Sequence, residues 1–353
     1  MSSMPATYLI SFTKGFRIGY HKPELFPPAM TLLRAMASIA AIIGDTPLLS
    51  SILNGYVATS AMLPLARVGD QLKPLIPLNL SITKHLSKRI AEKSGMSLPR
   101  KVESYITLAA AIALVRSFDA SARERGRPSI EDVAEGLVGV VEVKRTEDEK
   151  VVICEKEEAT RLAGSVEIEV PKSASEHRNT IDRPTGAARP FVVTYASVKN
   201  MSLLVDAPAS LDDQLSKVLK LLGEVGIGGL RSRGLGRFAI ERAKLSSDDG
   251  RALERVVPFN MARRGRYLLA LGELPLLSDA LDWRSSFFEA HIISGYMGPP
   301  YAQALYGPLV VTRPGALIKV KEDVEGSLVR PIELKTGVLP SMFIFNPLVI
   351  VGE

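Results

Sequence analysis

The spacing of apolar and polar residues predicts a chain of mixed strands and helices. TYLISF (7–12) has the β-branched and aromatic content of a strand. After a Pro-Pro pair, apolar residues recur at helical spacing over 29–43, and a glycine follows as a stop signal. Residues 45–80 are rich in Pro, Gly and short apolar runs and are predicted to be irregular. A second helix is predicted near 81–93, with its basic residues on the exposed side.

The middle of the chain is more polar, and its predicted elements are short. VVICE (151–155) and SVEIEV (165–170) are candidate strands. The segment 171–190 contains nothing that could anchor a core, so it is predicted to be a loop. Two strand-like runs follow at 191–198 and 201–207, and the two residues between them indicate a hairpin.

The clearest element is an amphipathic helix. Ser210 and Asp213 have the spacing of a capping box, and Gly223 is placed to end the helix. Its apolar stripe consists of Leu211, Leu215, Val218, Leu219 and Leu222. A glycine-rich loop then leads to a strand at 237–245, and the remaining residues are mostly strand-like.

The order strand–helix–strands–helix–strand, followed by a strand-rich block, predicts the α+β class. The predicted helices are too few and too far apart in the sequence for a doubly wound parallel sheet. A ferredoxin-like βαββαβ arrangement with insertions agrees better with this order of elements. The length of 353 residues suggests about two domains. We therefore predict an N-terminal domain over 1–245 and a C-terminal domain over 246–353.

Composition narrows the class of protein. Hydrophobic residues make up 46% and charged residues 23%, which is typical of a globular protein and excludes a disordered chain. Cys154 is the single cysteine, so an internal disulfide or a cysteine-rich zinc site is excluded. The apolar runs at 32–44 and 105–115 are too short to cross a bilayer. The first residues, MSSMPATYLISFTKGF (1–16), lack the pattern of a secretory signal peptide, so we expect a cytoplasmic protein without membrane contact.

The net charge of +6 is too small to identify a partner, but its distribution is informative. GIGGLRSRGLGRF (226–238) holds five glycines, three arginines and no acid. Glycine permits close approach to a ligand, and successive backbone N–H groups can converge on an anion. Arginine adds planar donors that suit phosphate. The loop therefore predicts a phosphorylated ligand, and a flexible surface loop with solvated arginines is the alternative.

Two nucleotide-binding motifs do not agree with this loop. GLGRFA (234–239) has the letters of a dinucleotide fingerprint, but here a helix precedes and a strand follows, which is the reverse of the required order. A P-loop has the form Gly-x4-Gly-Lys-Ser/Thr; Gly229 and Gly234 have this spacing, but Leu235-Gly236 stands in place of Lys-Ser/Thr. Both motifs are excluded.

Three segments together resemble a known family. The loop 226–238, between a helix and a strand, resembles the signature loop of the RAMP superfamily, the RNA-binding subunits of CRISPR effector complexes. RNTIDRPTGAARP (178–190) is similar to a segment of the Csm subunit 4 family of type III-A complexes, and so is the Pro-rich stretch 60–80. The resemblance covers roughly 7–245. Leu230 departs from it, because relatives commonly carry lysine there.

This resemblance implies two ferredoxin-like (RRM-related) domains, no catalysis by this subunit and no cofactor. Members of the family hold the 5′ handle of the guide RNA (crRNA) and join the large polymerase-cyclase subunit to the filament of Csm backbone subunits. Their extended hairpin or loop, the thumb, lies near the target RNA and is thought to wedge into the guide–target duplex. The equivalent subunit of a type III-B or III-D complex is an alternative with the same fold.

The resemblance also assigns residues. The glycines that would shape the RNA cradle are Gly226, Gly228, Gly229, Gly234 and Gly236. The side chains that would contact phosphate or ribose are Arg231, Ser232, Arg233 and Arg237. The residues that would build the thumb are Ile181, Asp182, Arg183, Thr185 and Gly186.

Histidines raise a second hypothesis, a metal-independent endoribonuclease of the RAMP-related Cas-six type. His21, beside Tyr20 and Lys22 and before the first helix, would be its general base. In the Cas-six type the glycine loop usually lies near the chain end, whereas here more than a hundred residues follow it. The preferred role of His21 is therefore contact with RNA, together with Lys14, Arg17 and Lys22. His177 and Arg178 could stack on or pair with nucleotides. No two histidines have the spacing of metal ligands, so no metal site is expected.

Overall fold

The computed structural model describes residues 4–19, 23–68, 71–78, 80–93, 95, 97–98, 102–146, 148–161, 167–181, 184, 187–245, 247–276, 278–296, 305–324, 328–334 and 337–352. The helices are α1 (Ala29–Ile42), α2 (Thr46–Leu53), α3 (Leu80–Lys93), α4 (Leu108–Arg125), α5 (Ile130–Leu137), α6 (Lys156–Arg161), α7 (Asp212–Val225) and α8 (Ser247–Leu253).

The strands through the first two thirds of the chain are β1 (Ala6–Phe12), β2 (Ala58–Thr59), β3 (Leu65–Val68), β4 (Gln71–Pro77), β5 (Ser104–Thr107), β6 (Val141–Arg145), β7 (Val151–Glu155), β8 (Glu167–Glu169), β9 (Lys172–Ile181), β10 (Ala188–Ser197), β11 (Asn200–Asp206) and β12 (Phe238–Arg242). The later strands are β13 (Val256–Pro258), β14 (Tyr267–Ala270), β15 (Leu281–Phe287), β16 (Ala290–Tyr296), β17 (Leu305–Thr312), β18 (Leu317–Val320), β19 (Leu328–Leu334), β20 (Gly337–Phe345) and β21 (Leu348–Val351).

The N-terminal sheet is antiparallel and has the strand order β12–β1–β11–β2. In the chain its elements follow one another as β1, α1, β2, β11, α7 and β12, which is a βαββαβ order. The apolar stripes of α1 and α7 share one core with β1 and β11. Met36, Leu219 and Ile10 in that core are at most 1% exposed.

A long insertion (residues 60–199) separates β2 from β11. It contains a six-stranded sheet with the order β6–β7–β5–β4–β3–β8 and the separate antiparallel hairpin β9–β10. α3, α4 and α5 pack against this sheet and each other. The insertion therefore builds a second sheet of its own and returns the chain to the N-terminal sheet at β11.

The C-terminal sheet has the order β13–β21–β14–β18–β15. α4 of the insertion packs against its strands β14 and β21, so the insertion and the C-terminal sheet share one apolar core. Lys73 joins them as well, because its Nζ lies 2.9 Å from Glu158 Oε1 and 3.0 Å from Asp249 Oδ2 in the interior. The division of the chain at residue 245 stays a prediction.

Several predicted elements are confirmed. The helices expected at 29–43 and 81–93 are α1 and α3, and the strands expected at 151–155 and 165–170 are β7 and β8. The mixed α and β class is confirmed too. A glycine-rich loop does join a helix, α7, to a strand, β12.

Other local predictions are wrong. Residues 45–80 contain α2, β3 and β4 rather than irregular chain, and the predicted loop 171–190 contains most of the hairpin β9–β10. The runs 191–198 and 201–207 do not pair with each other, because β10 pairs with β9 and β11 pairs with β1. β10 pairs with the strand just before it and β11 with the distant β1, so the short connection between β10 and β11 does not form a hairpin.

The ends of α7 also differ from the prediction. The helix is preceded by a short 3₁₀ turn over Ala209–Leu211, and no side chain caps it, so the capping box is not formed. Gly223 lies inside the helix, which continues to Val225. A Cβ at Gly223 would lie 2.3 Å from the carbonyl oxygen of Phe238, so this glycine lets α7 approach β12 closely.

Candidate nucleic-acid interface

The glycine-rich loop begins where α7 ends. Gly226 has φ +80° and its N–H donates to the carbonyl oxygen of Leu222, which closes the last helical turn. The loop then makes a 3₁₀ turn over Arg231–Arg233, and both flanking residues, Leu230 (φ +59°) and Gly234 (φ +82°), are left-handed. This alternation of backbone conformation projects the three turn residues away from the core.

The loop packs directly on the segment that follows β1. The N–H of Gly229 donates to the carbonyl oxygen of Arg17 at 2.7 Å. A Cβ at Gly228 would lie 2.3 Å from that same oxygen, and a Cβ at Gly236 would lie 2.0 Å from the carbonyl oxygen of Ile227. Gly228 and Gly236 therefore serve close packing between backbones. In contrast, a Cβ at Gly234 would have no neighbour within 4 Å.

Three arginines line an open cavity at the surface of the loop. The cavity has a volume of about 530 Å³ and is lined by Val225, Leu230, Arg231, Ser232, Arg233 and Arg237. Arg231 and Arg237 are exposed and form no ion pair with any residue that the structure describes. Free arginine donors around an open cavity suit a phosphate group, since each presents a planar fork of N–H groups.

The foot of the hairpin β9–β10 rests on the same segment after β1. The backbones of Phe16 and Ala196 exchange hydrogen bonds of 3.0 and 2.8 Å, and Arg17 Nη1 donates to the carbonyl oxygen of Thr194 at 3.0 Å. Glu176 lies between two cations, with its Oε2 2.7 Å from Lys14 Nζ and 3.0 Å from Arg178 Nη2. Hydrogen bonds from Lys14 and Arg178 hold the pKa of Glu176 below its ordinary value.

Two aromatic residues of β10 complete this surface, and the sequence analysis did not identify them. The guanidinium of Arg233 lies 5.2 Å from the ring centroid of Phe191, and Lys14 Nζ lies 5.9 Å from that of Tyr195. Phe191 and Tyr195 are four positions apart on one strand, so they share a face of the hairpin. Both rings lie within the predicted strand 191–198, but residues 172–181 were predicted to be a loop, so the pairing that places this strand beside the basic segment was not foreseen.

The structure brings most of the described candidate residues together. Lys14, Arg17, Arg178 and the loop 226–237 form one continuous surface with the hairpin foot. His177 is exposed and, as the neighbour of Arg178 in a strand, it points to the opposite face of the hairpin.

The predicted thumb is described only in part. Ile181 is 64% exposed at the end of β9, which is the end of the hairpin farthest from the N-terminal sheet. Six predicted site residues lie outside the described residues, namely His21, Lys22, Asp182, Arg183, Thr185 and Gly186.

Among the described residues, no helix has both the length and the apolar character that a bilayer crossing requires. Within the same part of the chain, no group of three or more His, Cys, Asp or Glu side chains could hold a metal ion.

Comparison with solved structures defines the class of fold. No protein-family model matches the sequence, and no curated protein matches it. The fold is one found in subunits of type III CRISPR effector complexes. A chain in the crystal structure of the Csm3–Csm4 subcomplex of the type III-A interference complex matches with a TM-score of 0.50 and 13% identity, over 97% of this chain and 100% of that one.

Two further structures align with lower scores. A chain of the Csm1–Csm4 cassette in complex with AMPPNP has a TM-score of 0.44 and 13% identity, over 99% of this chain and 100% of that one. A chain of the type III-B Cmr-beta complex bound to cognate target RNA has a TM-score of 0.45 and 12% identity, over 89% of this chain and 86% of that one. The fold of this chain is therefore similar to that of a chain in the Csm3–Csm4 subcomplex.

Proposed function

We propose that this protein is a non-catalytic, RNA-binding subunit of a type III CRISPR effector complex, and that it holds the 5′ handle of the guide RNA. The observation that carries the proposal is the cavity bounded by Arg231, Arg233 and Arg237. Two of these guanidiniums have no anionic partner among the described residues, and the glycines beneath them hold the loop against the N-terminal sheet. Such a cavity is suited to the phosphates of a nucleic acid.

The hairpin β9–β10 supports the assignment of a thumb. Each of its strands has ten residues, so the hairpin is about 33 Å long. Lys14, Glu176 and Arg178 fix it beside the glycine loop, and about 10 Å of the hairpin extends beyond Arg178 to Ile181. A strand of RNA held by the loop would therefore lie next to the hairpin, and we propose that the end of the hairpin, at Ile181, reaches the target RNA.

The remaining parts of the proposal concern organisation and partners. We propose that the N-terminal sheet, with its βαββαβ order, and the C-terminal sheet are each ferredoxin-like units. The large polymerase-cyclase subunit and the backbone RAMP subunit are the proposed protein partners. The Csm1–Csm4 and Csm3–Csm4 assemblies among the similar structures are the reason for proposing subunits of these two kinds.

The test of RNA binding is the salt dependence of affinity. Each phosphate contact that is lost should lower the slope of log K against log salt concentration by roughly 0.7 for a single strand. Arg231→Ala and Arg237→Ala should each show this decrease with repeat-derived RNA. Arg263→Ala is the matched control, because Arg263 is 72% exposed in the C-terminal part of the chain and lies 4.0 Å from Asp323. Unchanged slopes for both loop variants would reject the role of the loop.

A second test addresses the non-catalytic assignment. The purified protein should leave labelled repeat RNA intact in EDTA. Specific cleavage that His21→Ala abolishes would show a metal-independent ribonuclease and would contradict the proposal. Copurification with a tagged copy completes the test, because a subunit of this kind should bring other effector subunits and a discrete small RNA with a common 5′ end.

A further inference from the structure

The ring of Phe191 lies at the junction of the hairpin and the glycine loop. It projects from β10 and is half-buried, and the guanidinium of Arg233 covers it at 5.2 Å from the ring centroid. Arg233 itself is exposed and lines the loop cavity. One planar cation thus covers an aromatic face at the edge of a candidate phosphate site.

Charge around this ring favours a polyanion. Arg178 is the residue directly opposite Phe191 in the antiparallel pair, so the two side chains are neighbours on one face. Lys14, near the ring of Tyr195 on the same face, and Arg231, which lines the cavity together with Arg233, add positive charge. Among the described residues, Glu176 is the carboxylate in contact with Lys14 and Arg178, and it neutralises only part of this charge.

Aromatic faces beside a positive groove are the usual means of binding single-stranded nucleic acid. We propose that Phe191 is a stacking platform for one unpaired nucleobase, and that Arg233 covers its ring until RNA binds. The inference rests on the proposed function and adds a base-contacting residue to it.

Binding of a nucleobase to Phe191 requires only that the planar base replaces the planar guanidinium of Arg233 on the ring. A base that stacks on Phe191 displaces the Arg233 guanidinium, which then lies within the cavity that Arg231 and Arg237 also line. Arg233 is on the surface, so its movement disturbs no core packing. The ligand class is single-stranded RNA, because a base inside a duplex has both faces covered by its neighbours.

Two probes separate stacking from charge. The first is a short single-stranded oligoadenylate RNA, and the second is a ribose-phosphate strand of the same length without bases. Phe191→Leu should weaken binding of oligoadenylate about tenfold, leave binding of the abasic strand unchanged and leave the salt slope unchanged. Equal affinities of variant and wild type for oligoadenylate, or an equal loss for both strands, would overturn the inference.

Tryptophan fluorescence provides an independent measurement of stacking in a variant that keeps an aromatic ring at position 191. Phe191→Trp should be quenched by oligoadenylate and not by the abasic strand. Tyr56→Trp is the matched control, since Tyr56 is 64% exposed and precedes β2, which lies at the opposite edge of the N-terminal sheet from β12. A quench of equal size with both strands, or no quench while the RNA is bound, would contradict stacking. If wild type bound neither strand, the proposed function would fail and this inference with it.

Discussion

The backbone N–H of Gly236 donates a hydrogen bond of 2.7 Å to the carbonyl oxygen of Gly15. The two residues are far apart in the sequence, and this contact holds the glycine-rich loop on the segment that follows β1. The basic residues of both segments consequently belong to one surface, although the sequence shows them as two separate clusters.

Replacement of Gly236 by alanine should disrupt this surface. The new Cβ would lie 2.0 Å from the carbonyl oxygen of Ile227, and φ at this position is +80°. We expect a lower melting temperature and a loss of RNA affinity of more than tenfold. Gly234→Ala is the matched control. It has φ +82° with nothing within 4 Å, so only the left-handed backbone should cost about 1–2 kcal/mol. Equal effects of the two substitutions would show that backbone conformation alone matters.

Gly223→Ala tests the close approach of α7 and β12. A Cβ there would lie 2.3 Å from a backbone oxygen, which cannot move without displacing the strand, so the substitution should destabilise the protein. Gly136→Ala, inside α5 with nothing within 4 Å, should instead stabilise it by about 0.5–1 kcal/mol. The melting temperatures of the two variants compare these helical positions. A rise in melting temperature for Gly223→Ala would contradict the close approach of α7 to β12 at Gly223.

Removal of the buried cation Lys73 should be strongly destabilising. Burial by itself lowers the pKa of Lys73, but Asp249 and Glu158 reverse this, so its pKa is raised and it stays charged. Lys73→Met would leave buried carboxylates without their cation, at a cost of about 3–5 kcal/mol in denaturant unfolding. Lys88→Met is the control, because Lys88 is 69% exposed and lies 3.7 Å from Glu92. If Lys73→Met lowered the free energy of unfolding as little as the control does, by about 0.5 kcal/mol or less, the buried ion pairs would contribute little to stability.

Glu273 makes stability depend on pH. Burial raises its pKa from 4.5 to about 7, while its Oε2 accepts the N–H of Ala29 at the start of α1. Because the folded pKa is the higher one, the free energy of unfolding falls as pH rises between these values, by roughly 3 kcal/mol. Glu273→Gln should therefore stabilise the protein more at pH 8 than at pH 5, as measured by melting temperature. Glu135→Gln, at an exposed position, is the control and should change the melting temperature equally little at pH 5 and at pH 8.

Sequence alone identified the elements whose pattern is local. The stripes of α1 and α7 and the composition of the glycine loop were sufficient for their prediction. α4 was missed as a helix because its first turns are apolar on every side. Residues Leu108 to Ala111 are all buried between two sheets, so no amphipathic period marks them.

The candidate site was predictable in its charges and not in its aromatic residues. Arg231, Arg233 and Arg237 stand out by composition, whereas Phe191 gains its position only when β9 and β10 pair. Those strands are mostly exposed, and their polar residues have the composition of a loop. Their pairing is fixed at the foot by contacts such as Lys14–Glu176, which join residues 162 positions apart.

The pairing of β1 with β11 and β12 has a consequence for synthesis on the ribosome. β1 is complete at Phe12, but β12 ends only at Arg242. At about 5–20 residues per second, the edge of β1 that pairs with β11 stays open for roughly 10–40 seconds, until Asp206 is made, and the edge that pairs with β12 stays open for roughly 10–50 seconds. The sheet of the insertion can form during this interval. The nascent chain therefore presents an open strand edge for longer than most small proteins take to be made, and chaperone binding during that interval would protect it from aggregation.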